Sequence, residues 1–138
     1  MNISESAKLL ALLAANYPHY YKNLSKTETS AVCKTWSDSF CDVPAPIVFE
    51  GIKQCIAYCK FPPTIAEVNE QITIMFFEAS SLSNDMTKTQ EIRSEAERLR
   101  SLLDSLGFDR RGKGKFPRRS SVMHLIELGG TDSLGLEA

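Results

Sequence analysis

Side chains that could carry catalytic chemistry are few in this chain of 138 residues, and the sequence does not bring them together. The two histidines, His19 and His124, lie near opposite ends of the sequence. Glu50, Glu67 and Glu78 fall on different parts of predicted helices, where surface and capping roles account for them. Acid–base or nucleophilic catalysis needs a reactive group and its partner within hydrogen-bonding reach. We therefore expect a protein that is not an enzyme and that uses no cofactor.

The four cysteines give a weak signal for metal binding. Cys55 and Cys59 are one helical turn apart and share a face, whereas structural zinc sites use pairs of ligands in a turn with a second pair elsewhere. Cys33 and Cys41 would have to converge with them. Reduced cysteine behaves as a small buried apolar residue, and this is the interpretation we adopt for all four. No metal site is expected.

The strongest local charge lies near the carboxyl end of the chain. Residues 110–119 contain six basic and no acidic side chains, whereas residues 120–138 contain three acidic and no basic ones, and the net charge of the chain is −1. The glycines of this block, Gly112 and Gly114, lack the preceding strand and following helix of a phosphate-binding loop. The block can meet phosphate groups non-specifically, contact an acidic protein surface, or stay solvated. An apolar segment at about 121–128 follows, and we expect a short helix there that docks on another surface.

Apolar spacing and capping signals predict five helices. Two of them open with capping boxes, in which Ser25 pairs with Glu28 and Thr64 with Glu67. The predicted helices run from about Ser4 to Asn16, from after Ser25 to near Asp42, from Pro46 to Tyr58, from after Thr64 to about residue 79, and from Lys88 to Leu106, with Gly107 as a cap. The last helix is amphipathic, and it either packs on the fourth helix or pairs with a partner.

The segment Phe61-Pro62-Pro63 separates the third and fourth predicted helices. Two prolines cannot continue a helix and hold the preceding residue extended. We expect Phe61 to plug the corner between the two helices. Gly51 costs about 1 kcal/mol of helix propensity relative to alanine, which indicates that another helix crosses closely there.

Two groups of aromatic or apolar residues have more than one interpretation. Trp36 is expected to anchor the core, since Val32, Trp36 and Phe40 recur at helical spacing. The tyrosines at positions 17, 20 and 21 either pad the edge of the domain or form a contact surface. Residues 72–77 are apolar nearly all round. They need cover on several sides, from a later helix, a second copy of the chain or a partner.

The predicted fold is all-α, with three regions. Residues 1–80 form a four-helix N-terminal domain, and residues 81–107 supply a linker at Ser80–Asp85 and the fifth, amphipathic helix. Residues 108–138 form a basic and then apolar tail that is flexible and partly disordered. No segment reaches the roughly 20 apolar residues that span a bilayer, and no signal peptide is evident, so we expect a soluble, cytoplasmic protein.

Three motifs resemble one family: Leu10–Tyr21 with its Asn-Tyr-Pro element, Trp36, and the segment Cys59–Val68 containing Phe-Pro-Pro-Thr-Ile-Ala-Glu. Over about residues 5–75 the chain resembles the replicative helicase loader/inhibitor proteins of bacteriophages of Gram-positive hosts. The resemblance implies a small helical domain with a flexible C-terminal region that binds a hexameric replicative helicase, inhibits it and delivers it to the phage origin. An origin-binding protein, and DNA contacted through the basic segment, are further candidate partners.

The resemblance assigns two sets of residues. The first determines the fold rather than the contacts: Tyr17, Pro18, Trp36, Phe61, Pro62, Pro63, Thr64 and Glu67. The second is the tail that grips the helicase, or DNA: Arg110, Arg111, Lys113, Lys115, Arg118, Arg119, Met123, Leu125, Ile126 and Leu128.

The second half of the chain supports an alternative. Residues 97–109 and the basic run after them are similar to the C-terminal part of phage terminase small subunits, which bind viral DNA and recruit the packaging ATPase. Both interpretations describe a phage protein that serves an ATPase as a non-enzymatic adaptor.

Overall fold

The computed structural model describes residues 1–106 and 125–126, and these residues form helices joined by short connections. The helices are α1 (Ile3–Asn16), α2 (Pro18–Tyr21), α3 (Lys26–Ser39), α4 (Ala45–Tyr58), α5 (Ile65–Ser83) and α6 (Gln90–Ser105). The described part of the chain contains no strand, which confirms the all-α prediction. None of its helices combines the length and the apolar character that crossing a membrane requires.

The helix starts follow local sequence signals. Both hydrogen bonds of the predicted capping box are present in α5, where Glu67 N donates to Thr64 Oγ1 at 3.2 Å and Thr64 N donates to Glu67 Oε1 at 3.4 Å. Ser25 caps α3 by accepting a hydrogen bond from Glu28 N at 3.1 Å. A third capping box, which the sequence analysis missed, joins Asn2 and Glu5 at the start of α1.

The structure corrects three predicted boundaries. The short helix α2 lies where only a connection was expected, and α3 ends at Ser39, before Asp42. The linker predicted at Ser80–Asp85 is wrong for its first four residues, because α5 continues to Ser83. The hydroxyl of Ser80 donates to Phe76 O at 3.1 Å, within the helix. Serines that form such bonds no longer compete with the helix, and the burial of Ala79 fixes this turn against the core.

Helix α5 is the centre of the fold. It packs against α4 and along α6, while α1 packs against α3. Of the apolar run 72–77, residues 72–76 are buried and Phe77 is half-buried, so the run that needed cover on several sides receives most of it from within the chain. The apolar side of α6 supplies Leu99 and Leu103 to the core. Of the two alternatives for this helix, packing on its own chain is therefore the one observed.

The predicted close crossing at Gly51 is confirmed. A Cβ atom at this position would lie 3.2 Å from Ile72 Cγ1 and 3.4 Å from Val68 Cγ1 on α5. The first distance is shorter than an ordinary van der Waals contact. Glycine at residue 51 therefore sets the spacing between α4 and α5.

The N-terminal half of the core is built around an aromatic pair. Trp36 stacks on Phe40 with ring centroids 5.8 Å apart, and both are buried, so Trp36 is a core residue as predicted. Met1 is buried beside them, and its ammonium group donates to Phe40 O at 2.8 Å and to Val43 O at 2.7 Å. Those carbonyls follow the end of α3, where a positive charge is favourable.

The cysteines do not all behave as predicted. Cys33 and Cys55 are buried, but Cys59 is half-buried and Cys41 is exposed, so the interpretation of all four as buried apolar residues is wrong for Cys41. All four lie in the described residues, and no disulfide joins any of them. Cys41 lies in the connection after α3.

Candidate protein-interaction surface

The corner between α4 and α5 is fixed by polar bonds. Tyr17, the residue between α1 and α2, donates from its hydroxyl to Cys59 O at 2.9 Å and thereby ties the two connections together. Cys59 Sγ donates to Glu67 Oε2 at 3.9 Å, while Glu67 Oε1 accepts from Thr64. Both oxygens of Glu67 are thus engaged inside the corner, which holds the start of α5 against the end of α4.

The expectation that Phe61 plugs this corner is wrong. Phe61 has 61% of its surface exposed, whereas Pro63 and Tyr17 are buried. The interior of the corner is occupied instead by Tyr17, which is buried and whose hydroxyl donates to Cys59 O at 2.9 Å. Phe61 lies on the outside of the corner.

The exposed ring of Phe61 does not stand alone. Tyr20, which is 53% exposed, contacts it edge to face, with ring centroids 6.2 Å apart and planes at 86°. Lys60 Nζ lies 5.9 Å from the centroid of the Phe61 ring, within range of a cation–π interaction. We call Tyr20, Lys60 and Phe61 the Tyr20–Phe61 surface. It places two large aromatic side chains and one ammonium group together at the surface of the domain.

Lys60 is the charged side chain that the described contacts place on this surface. The segments that carry it, residues 17–27 and 51–66, contain four lysines and no aspartate or glutamate. Lys22, Lys53 and Lys60 are exposed. Of the acidic residues that border these segments, Glu50 is buried, Glu67 is half-buried with its carboxylate engaged in the corner, and Glu28 is exposed at the start of α3. The surface is therefore aromatic at its centre and has only basic charges on the segments that form it.

Beneath the surface, burial keeps ionisable groups neutral. Burial raises the pKa of the Cys55 thiol from 9.0 to about 12, with smaller contributions from Cys59 and Glu67. Burial likewise raises the pKa of Tyr17, with Cys59 next in order of effect. A protonated thiol is neither a nucleophile nor a metal ligand, so Cys55 has a packing role here. In residues 1–106 and 125–126, no three histidine, cysteine or acidic side chains meet as potential metal ligands.

A known protein family matches the part of the chain that forms this corner. The family model G39P_N, which describes the N-terminal domain of the phage helicase loader/inhibitor, matches residues 1–69. That span is half of the chain and contains every motif of the resemblance from Tyr17 to Glu67. The chain belongs to this family. It is a phage helicase-associated protein, and the family implies interaction with a replicative helicase.

Two further comparisons add no relative. Neither the curated proteins nor the solved structures gave a significant match to the chain. The similarity of residues 97–109 to terminase small subunits received no support from any comparison.

The fold-determining residues of the helicase loader/inhibitor motif occupy different environments. Tyr17, Trp36 and Pro63 are buried, Pro62 is half-buried, and Pro18 is exposed at the first position of α2. Phe61 is the exception among the aromatic residues, as described above. Sequence reasoning missed that Phe61 is exposed. It did offer a contact surface as one of the two interpretations of the tyrosines at positions 17, 20 and 21, and Tyr20 contacts Phe61.

Most of the predicted partner-binding residues lie outside the described residues. These are Arg110, Arg111, Lys113, Lys115, Arg118, Arg119, Met123 and Leu128, and the proposed cap Gly107 lies outside them as well. Leu125 and Ile126 are described, and both are helical. Leu125 is only 4% exposed and belongs to the same core cluster as Leu99 and Leu103, and Ile126 packs against that cluster. Partner binding by the tail stays a prediction.

One acidic residue also differs from its predicted surface role. Glu50 is buried in α4 and accepts a hydrogen bond from Gln54 Nε2 at 3.3 Å. A buried carboxylate with a hydrogen-bond donor one turn away belongs to the packing of α4.

Proposed function

We propose that this protein binds a hexameric replicative helicase, holds it inactive and delivers it to the phage origin. The match of the family model to residues 1–69 carries the proposal. The proposed activity consists of binding and release, which need no catalytic group. The protein acts on the helicase as an adaptor rather than as an enzyme.

We assign the helicase contact to the tail beyond the helical domain. Residues 110–119 concentrate six positive charges in ten residues, and the matched domain ends well before them. Such a block accelerates association with an acidic surface by electrostatic steering. Because Leu125 packs in the core of the free protein, it contacts the helicase only after it leaves the core. The basic block therefore makes the first contact.

Delivery to an origin requires a second interaction besides the helicase. We propose that an origin-binding protein supplies it. DNA contacted through Arg110, Arg111, Lys113 and Lys115 is the second candidate, and it predicts an affinity that falls steeply with salt concentration.

A strand-separation assay tests the proposal. The replicative helicase of the phage or of its host is incubated with the full chain, and unwinding of a forked duplex is followed by fluorescence. We expect unwinding to fall as the chain approaches one copy per helicase subunit, and to recover when a loaded complex is supplied with origin DNA and its binding protein. Undiminished unwinding at a large excess of the chain would contradict the inhibitory role.

Point substitutions locate the contact better than truncation does. A truncation at residue 107 also removes Leu125 from the core, so loss of binding would have two explanations. In the full chain, replacing the six basic residues of 110–119 by serine alters no side chain of the described core. We expect this variant to lose inhibition, whereas replacing the exposed Lys8 and Lys34 by serine leaves inhibition intact. Equal inhibition by both variants would remove the basic block from the contact.

A further inference from the structure

The Tyr20–Phe61 surface is a feature that the helicase contact assigned to the tail does not use. A folded domain gains stability by burying a phenylalanine, yet Phe61 remains 61% exposed beside Tyr20, which is 53% exposed. Leaving a large apolar side chain exposed forgoes the stabilisation that its burial would contribute. Exposed aromatic residues that contact one another are typical of the centres of protein interfaces, where tyrosine and phenylalanine are enriched.

The surface is held rigidly in place. Pro62 and Pro63 restrict the backbone after Phe61, and Tyr17 ties the α1–α2 connection to Cys59 by a hydrogen bond of 2.9 Å. The Thr64–Glu67 capping box fixes the helix that follows. A partner therefore meets side chains whose positions are set before it arrives, and this lowers the entropy cost of binding.

We propose that the Tyr20–Phe61 surface docks an acidic polypeptide segment of a partner protein, with an apolar side chain of that segment seated against the two rings. Charge decides the chemistry of the partner. The segments that form the surface carry Lys22, Lys26, Lys53 and Lys60 and no acidic residue, so carboxylates flanking the apolar anchor are attracted. This docking site is separate from the tail contact.

The same charge argues against a second copy of this chain as the occupant. In a twofold dimer the same patch meets itself, which would bring Lys60 of each copy toward the other. Single-stranded nucleic acid fits less well than a peptide. Bases stack on open aromatic faces, whereas here the rings meet at 86° and Lys60 lies over one face of Phe61. An apolar side chain of a peptide can instead pack against both rings at once.

Peptide selection on the full-length chain tests the docking site. A random peptide library displayed on phage is panned against the immobilised chain, and enriched peptides are synthesised with a fluorescent label for anisotropy measurements. We expect them to share one aromatic or aliphatic anchor flanked by aspartate or glutamate. Their affinity should fall at least tenfold for Phe61→Ala, a loss typical of truncating an aromatic residue at the centre of an interface. The affinity should also weaken when the salt concentration rises and when Lys60 is replaced in Lys60→Glu.

Control variants separate this site from general surface stickiness. Met86, which is 77% exposed in the connection between α5 and α6, is a matched apolar residue outside the surface, and Met86→Ala should leave the affinity unchanged. Thermal unfolding of Phe61→Ala should match that of the parent chain, since the ring is mostly exposed. Any loss of peptide binding is then local.

Other outcomes would overturn the proposal. Peptides that bind Phe61→Ala as tightly as the parent chain, or a selection without acidic enrichment, would exclude an acidic docking segment here. Binding of a labelled 20-residue deoxythymidine oligonucleotide that Phe61→Ala abolishes, without peptide binding, would assign the surface to nucleic acid. A concentration-dependent dimer abolished by Phe61→Ala would assign it to self-association. None of these results depends on whether the tail binds the helicase.

Discussion

Gln71 offers the sharpest test of the energetics of this core. It lies in the middle of α5 with none of its surface exposed, and among the described residues neither its Oε1 nor its Nε2 has a hydrogen-bond partner. We predict that Gln71→Met stabilises the protein. Methionine is unbranched, has a similar length and a similar helix propensity, and carries no group that requires a hydrogen bond.

The magnitude follows from the cost of burying an amide without partners. An unsatisfied buried polar group costs about 1–3 kcal/mol, and the substitution removes this cost while keeping the volume nearly constant. For a chain of this size, a change of 1 kcal/mol shifts the melting temperature by roughly 3 °C. We therefore expect the melting temperature of Gln71→Met to rise by about 3–9 °C.

Thermal and urea unfolding followed by circular dichroism measure the effect, with Thr73→Val as the control. Thr73 is equally part of buried α5, but its hydroxyl donates to Asn69 O at 3.0 Å. Replacing it loses a made hydrogen bond and should lower the free energy of unfolding by about 0.5–1.5 kcal/mol. A fall in stability for Gln71→Met would refute the reasoning, because it would show that the Gln71 amide forms hydrogen bonds in solution.

Three further predictions concern the corner and the helix crossing. Gly51→Val should lower the free energy of unfolding, measured by urea titration, by about 1–3 kcal/mol, because the valine side chain would meet Ile72 and Val68. Gly51→Ala should lower it less, because the higher helix propensity of alanine offsets the close contact. Thr64→Ala should cost about 1 kcal/mol by removing the cap of α5, and unchanged stability would show that the cap contributes nothing. Burial raises the pKa of Cys55 from 9.0 to about 12. Because the thiol of the unfolded chain therefore ionises at a lower pH than that of the folded chain, the free energy of unfolding should fall as the pH rises above about 9. Cys55→Ala should show a shallower fall, and an identical slope in both proteins would contradict the shifted pKa.

Signals confined to a few neighbouring residues predicted the structure well. The Thr64–Glu67 capping box depends on residues three apart, and Gly51 signals a close crossing because a side chain there has no room. The continuation of α5 to Ser83 was missed because residues 80–85 contain five polar residues of turn-forming type and so resemble a linker. Packing of Ala79 against the core, which the local sequence does not reveal, keeps that segment helical.

The candidate surface shows where local reasoning ends. The prolines after Phe61 predicted the corner correctly, but they did not determine which apolar residue turns inward. That choice depends on the arrival of Tyr17 from a connection more than forty residues earlier, where its hydroxyl bonds to Cys59 O and its ring occupies the interior. The direction of Phe61 is therefore a property of the tertiary structure. The tail residues 110–119 lie outside the described residues, and their role rests on charge and on the family.

The central claim is that the protein binds a replicative helicase. Sedimentation velocity of the full chain mixed with the hexameric replicative helicase of the phage or its host, with and without ATP, tests it most directly. The account predicts a new, faster species in which the chain co-sediments with the hexamer, and its loss when the six basic residues of 110–119 are replaced by serine. Both proteins are mixed at about 10 μM, a concentration above the dissociation constants typical of specific complexes. Two independent boundaries at the sedimentation coefficients of the separate proteins would contradict the claim.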